Sequence, residues 1–329
     1  ASKAVILDSN KDYTGLRNLT ITGELDAATL DISGNVDVDG VLETDNLTVG
    51  GAQGTDGQVL TSTGSGVGWE DAGTGATFKT FGTSSIMIGD NATGTIDAAN
   101  YNTGVGVDVF AALTTGDDNT ALGFASLTAN TTGHSNTAVG KGALDANTTG
   151  IRNTALGFDS LGANTEGTQN TGLGKGALLV NTTGIENTGI GASALDANTT
   201  GDFNTAVGQG ALDSNTTADN NTALGHDAMK VNTTGTYNVA VGAAALDANT
   251  TGGSSVAAGY GALGANTTGG NNTALGHSTL AANTTAANNV AVGHEALTAN
   301  TTGEYNVAVG AAAGDALTTG SVNTAVGYN

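Results

Sequence analysis

The sequence predicts an all-β fold dominated by a parallel β-solenoid, and three observations predict it. A seventeen-residue phrase recurs without a slip from Asn119 to the C-terminus. Glycine holds one fixed address in every phrase, with small and aliphatic residues alternating beside it. The 329 residues include no Pro, no Cys and 53 Gly, a composition suited to closely stacked backbone rather than to a bulky interdigitated core. Disorder is excluded because disordered chains lack hydrophobic periodicity, whereas here Leu and Val recur at fixed addresses.

The phrase reads NTALGFASLTANTTGHS at Asn119 and NTAVGKGALDANTTGIR at Asn136. Counted from its first Asn, the same interval extends back to Asn102 and Ser85, so the array spans 85–329 as about fifteen units, the last truncated. Two shorter regions precede it. Residues 1–50 carry brief alternating runs such as LTITG at Leu19 and LTVGG at Leu47. Each is too narrow on its apolar side to bury itself alone, which predicts a slender β-shaft and attachment region made by several chains, with a small β-sandwich as the alternative. Residues 51–84 form a Gly-rich junction with a strand expected at Gln58–Ser62 and the single Trp at Trp69. Trp69 is read as a plug between shaft and array rather than as a ligand-binding aromatic.

Within the unit, position 5 is Gly throughout, including Gly123, Gly140 and Gly157, and this predicts a backbone corner with positive φ or no room for Cβ. Position 15 is usually Gly, with Ala99, Ala218 and Ala286 replacing it, so a second and less strict corner is expected there. The two corners divide the coil into two short extended limbs. Alternation assigns the aliphatic positions 2 and 4 to the interior, as in NVAVG at Asn238, and turns the small position 3 outward towards a neighbouring chain. Position 9, Leu127 and Leu144 among others, should fill the interior. Position 12 is Asn in eleven successive units, Asn130 and Asn147 among them, but Ile96, Leu113 and Leu317 near the ends. A site that accepts Asn or a large aliphatic is inward, so a stacked amide ladder is expected, closed by capping coils.

The same letters invite chemical readings. NTT at positions 12–14 has the form of an N-glycosylation acceptor in ten of eleven central units, but a turn ladder explains it and the Leu replacements together. The adjacent Thr residues also lack the alternate spacing of an ice-binding face. His277 and His294 occupy position 6 of consecutive coils and should lie one above the other. They are the candidates for a metal or anion site, although no carboxylate recurs with them in the sequence. Asp196, Asp213, Lys230 and Asp247 at position 10 form a charge ladder, with Lys230 expected between carboxylates. The stacked Asp196 and Asp213 resemble a glycosidase pair only through the coil spacing. No nucleophile triad, phosphate loop, zinc signature or calcium repeat is present, so neither catalysis nor a cofactor is expected. A formal charge of −22 with eight Lys and Arg argues against a nucleic-acid partner, and no apolar run approaches a membrane span.

The NVAVG and NTAVG phrases are similar to the head repeats of YadA-like trimeric adhesins, which wind a left-handed parallel β-roll. The longer phrase ALDANTTG, together with AVILDSNKDYTGLRNLTITGEL and GQVLTSTGSGVGW, resembles bacteriophage tail-fibre and related virion fibre proteins, especially of marine phages. The resemblance covers nearly the whole chain. It implies a parallel homotrimer, an N-terminal part joined to the virion baseplate, tail or an adjoining fibre protein, and contact with a host surface receptor, glycans included. It places the protein on the virion, outside the cell. A bacterial surface adhesin is the alternative location and function, and a polysaccharide-degrading tailspike a third.

Overall fold

The structure is a computed structural model that describes residues 99–328 throughout and, before them, the backbone of six short strands. The chain divides into two compact units, Ala1–Gly73 and Thr74–Asn329. In the first unit β1 (Thr48–Val49) pairs antiparallel with β2 (Ala52–Gln53). The expected strand is present as β3 (Gln58–Ser62), and it forms an antiparallel pair with β4 (Val67–Asp71), Leu60 standing opposite Trp69. The shaft expected over 1–50 lies outside the described residues apart from β1, as does the side chain of Trp69.

The second unit is the expected solenoid. It begins with β5 (Phe78–Phe81), antiparallel to β6 (Ser85–Ile88), and β6 is parallel to β7 (Thr103–Val105). From β7 every strand is three residues long and pairs in parallel with the one seventeen residues later, through β8 (Thr120–Leu122) to β20 (Thr324–Val326). The register never shifts, so Thr154 faces Thr137 on one side and Thr171 on the other. Identical letters therefore stack in columns.

Two sequence expectations are overturned here. The strand faces are the reverse of the alternation argument: Ala121 is 1% exposed while Thr120 and Leu122 on either side are exposed, and this repeats coil after coil. The reason is a thin interior. Positions 8 and 9 already fill it, so that a Cβ added at Gly172 would lie 2.5 Å from Ser160 Oγ and 3.3 Å from Leu161 Cγ, and one at Gly189 2.9 Å from the Ala194 carbonyl oxygen and 3.3 Å from Leu178 Cγ. Only Ala or Gly fits opposite such a side chain, and the aliphatic positions 2 and 4 are turned out. The small position 3 is thus explained within one chain and is no sign of a neighbouring one.

The second limb, moreover, is not extended. Positions 6–11 form a run of turns in which positions 7 and 9 are left-handed, for example Asp159 (φ 51°) and Leu161 (φ 53°), and position 17 is left-handed as well. Non-glycine residues in that region cost about 1 kcal/mol each. The cost is offset because the irregular limb still bonds to its neighbours: Leu144 N–H donates to the Ser160 carbonyl at 3.1 Å and Ala146 N–H to that of Gly162 at 3.2 Å. Each coil is consequently bonded to the next along most of its circuit.

The interior consists of Leu at position 9, Ala at positions 3 and 8, and two columns of amides. The expected ladder at position 12 is present, with Asn147 Nδ2 donating to Asn130 Oδ1 at 2.8 Å and Asn164 Nδ2 to Asn147 Oδ1 at 2.9 Å. A second ladder runs through position 1, where Asn136 N–H donates to Asn119 Oδ1 at 3.0 Å. The two converge: the Gly150 carbonyl accepts Asn136 Nδ2 at 2.9 Å and Asn147 Nδ2 at 3.1 Å.

Candidate functional site

The residues singled out from sequence fall into interior scaffold and surface columns. Gly123, Gly140 and Gly157 adopt φ of 138°, 136° and 141°, and a Cβ on Gly123 or Gly157 would come within 2.5 Å of the next coil's carbonyl oxygen. Position 5 therefore requires Gly for conformation and for space. Position 15 has no such φ. Its smallness comes from close approach, since a Cβ there would meet the next coil's backbone and the position-12 amides. Leu127, Leu144, Asn130 and Asn147 are all 0% exposed. The NTT triplets accordingly present no free amide for glycosylation. Position 13 hydroxyls are also engaged, Thr148 Oγ1 donating to the Thr165 carbonyl at 3.0 Å.

Three surface columns remain for function. The first is the outer strand face. Leu122 is 47% exposed, Leu156 46%, and Leu173, Leu224, Leu275 and Val309 are exposed alongside them. Thr or Val at position 2 completes a face that carries no charged residue in any coil, in a chain whose formal charge is −22. Exposed aliphatics this continuous mark an interaction surface.

The second column is position 6, at the edge beyond the glycine corner. Lys141 Nζ lies 5.9 Å from the Phe124 ring centroid and 5.5 Å from that of Phe158, a cation held between two rings. Further along, Tyr260 stacks on His277 at 5.4 Å and His277 on His294 at 5.2 Å, as the coil spacing predicts. The sequence reading of these histidines as lacking a carboxylate is corrected by Glu295, whose Oε2 lies 3.7 Å from His294 Nδ1. Adjacency of Glu295 to His294 was the available signal.

The third column is acidic. Asp145 and Asp159 line an open indentation of 440 Å³ together with Gly162, Leu179 and Val180. Burial, reinforced by the charge of Asp159, pushes the Asp145 carboxyl above its ordinary range. Burial does the same to Asp196, with Asp213 adding to it, so those two stacked carboxylates do sense one another. Lys230 stands between Asp213 and Asp247 as expected, and its charge opposes the rise of both carboxyls, although its shortest ion pair, at 3.2 Å, is with Asp227 at position 7 of its own coil. Among the described residues no helix is long and apolar enough to cross a membrane. No family model matches the chain, and neither a curated protein nor a solved structure is significantly similar to it.

Proposed function

We propose that this chain is a structural fibre protein of a virus particle, a rigid homotrimeric rod that projects from the virion and supports attachment to a host surface. The observation that carries this proposal is the uncharged aliphatic strand face. Copies of so acidic a chain repel one another everywhere else, but along this face they meet without burying like charges and cover the exposed Leu and Val columns. A stack of identical coils with no second core suits a load-bearing element better than a reaction vessel. The virion, and attachment through the N-terminal region to a tail or adjoining fibre protein, rest on the resemblance of the repeat and head phrases to tail-fibre proteins.

Sedimentation tests the assembly: the full chain should run at three times 31.8 kDa. A compact monomer at micromolar concentration overturns the proposal. Location separates the virion from the alternative of a bacterial trimeric adhesin, since the first requires the chain in purified virus particles and the second in a cell-surface fraction. The Asp145 and Asp159 indentation is the observation that favours a polysaccharide-degrading tailspike instead. That reading requires release of reducing ends from a host polysaccharide, abolished by Asp145→Asn.

A further inference from the structure

We propose that His277, His294 and Glu295 form a binding site for one divalent transition-metal ion of the zinc, nickel or copper class. One donor atom from each residue lies within 4.8 Å of the others. The solenoid produces this juxtaposition, since position 6 of one coil stands over position 6 of the next and leaves the two imidazole planes 10° apart with centroids 5.2 Å apart. Glu295 follows His294 directly and brings its carboxylate to 3.7 Å from Nδ1. Two imidazole nitrogens and one carboxylate oxygen suit borderline transition ions, whereas calcium and magnesium favour oxygen ligands throughout.

Donors around a tetrahedral ion at about 2.0–2.2 Å stand roughly 3.3 Å apart. All three side chains are exposed, so rotation of exposed rings and of the carboxylate closes the remaining gap without disturbing the interior. Water would complete the coordination. Tyr260 stacks on the other side of His277 at 5.4 Å, so ion binding would draw the His277 ring out of that stack. The surrounding charge of −22 raises the local concentration of cations.

The rest of the molecule supplies an internal comparison. His226 also meets a carboxylate, Asp227 Oδ2 at 3.5 Å, but the adjacent coils present Gln209 and Ala243 at position 6 and so no second imidazole. His134 meets the Ser135 hydroxyl at 3.2 Å, and the adjacent coils present Asp117 and Ile151 at its position, so no second imidazole. Among the described residues Glu occurs at position 7 once, beside the only consecutive pair of histidines.

The test is calorimetric titration of the full chain with zinc sulfate, repeated with nickel sulfate. One ion per chain is expected, with affinity reduced at least about tenfold by His277→Ala or His294→Ala, reduced by Glu295→Gln, and unchanged by His134→Ala. Peptide mapping after diethyl pyrocarbonate treatment reads the wild-type protein directly: zinc should protect His277 and His294 and leave His134 and His226 reactive. Absence of saturable binding, binding that survives loss of both His277 and His294, or protection spread equally over the four histidines overturns the proposal and leaves the column a stack of rings.

Discussion

At the scale of single residues, glycines of one coil separate two demands that sequence alone merges. Gly174 has φ of 135° and a Cβ there would lie 2.5 Å from the Gly191 carbonyl oxygen; Gly176 has φ of 62° and its nearest neighbour would be Asp196 Oδ1 at 3.7 Å. Position 7 already accepts Asp, Ser and Ala in other coils. Gly176→Ala should therefore cost about 1 kcal/mol, the strain of a left-handed residue. Gly174→Ala should cost about 3 kcal/mol, strain and a backbone collision together. Urea unfolding of the two variants checks the order. Charge at single residues makes a different prediction. The Asp196 carboxyl is raised by burial and then by Asp213, and its Oδ1 is buried with no hydrogen-bond partner. Its folded pKa lies above the ordinary 3.8, so the folded state holds the proton more tightly, and stability should rise as pH falls from neutral through the folded value, levelling off below 3.8. Asp196→Asn should raise the melting temperature at pH 7, and the advantage should shrink towards pH 4. Melting curves across that range would refute this if the advantage were constant or reversed.

The amide ladders are elements in their own right, and their termination makes them testable. Asn198 Nδ2 donates to Asn181 Oδ1 at 2.8 Å, in mid-ladder. Asn198→Leu keeps the branching, with somewhat greater bulk, but leaves that oxygen buried without a donor, while the Gly201 carbonyl retains Asn187 Nδ2 at 2.7 Å. A loss of about 1–3 kcal/mol is expected. At the ladder's end Asn300 Oδ1 already has no partner, because Leu317 occupies position 12 above it. Asn300→Leu merely transfers the orphan to Asn283 Oδ1, so thermal unfolding should show it to be the milder change. Much of this element was legible in the sequence: the Asn-or-Leu choice at position 12 marked an interior site, and invariant Gly at position 5 marked the corner. The position-1 ladder has the same signal, a near-constant Asn at the start of each unit. What could not be read was the direction of the strand faces. Three residues such as Thr-Ala-Leu alternate equally well either way, and only the space consumed by positions 8 and 9 decides that Ala points in. Nor could spacing reveal the left-handed residues at positions 7, 9 and 17, since ordinary Asp, Leu, Ser and Tyr occupy them.

For the whole molecule, the outward aliphatics shift the case for assembly from a small residue to a large surface. Were positions 2 and 4 interior, the outer surface would keep only scattered apolar residues such as Phe124 and Val180, and self-association of so acidic a chain would lack a continuous apolar face. With them outside, each added coil contributes another Leu or Val to a face that repeats every seventeen residues, so the association energy of a parallel assembly grows with coil number just as the fold's own stability does. Parallel alignment in register is the arrangement that matches every column to its equivalent in the other copies. Charge placed in that face should therefore dissociate the assembly while sparing the coil, because the altered side chains lie outside the interior. For the proposed trimer, Leu156→Asp with Leu224→Asp should lower the sedimenting mass from three times 31.8 kDa to that of a single chain, with the β-sheet circular dichroism retained. Phe158→Asp, exposed at position 6 beyond the glycine corner, should leave the mass unchanged. If Phe158→Asp dissociates the protein and the Leu pair does not, the contact runs along the aromatic edge and the strand face has been wrongly assigned.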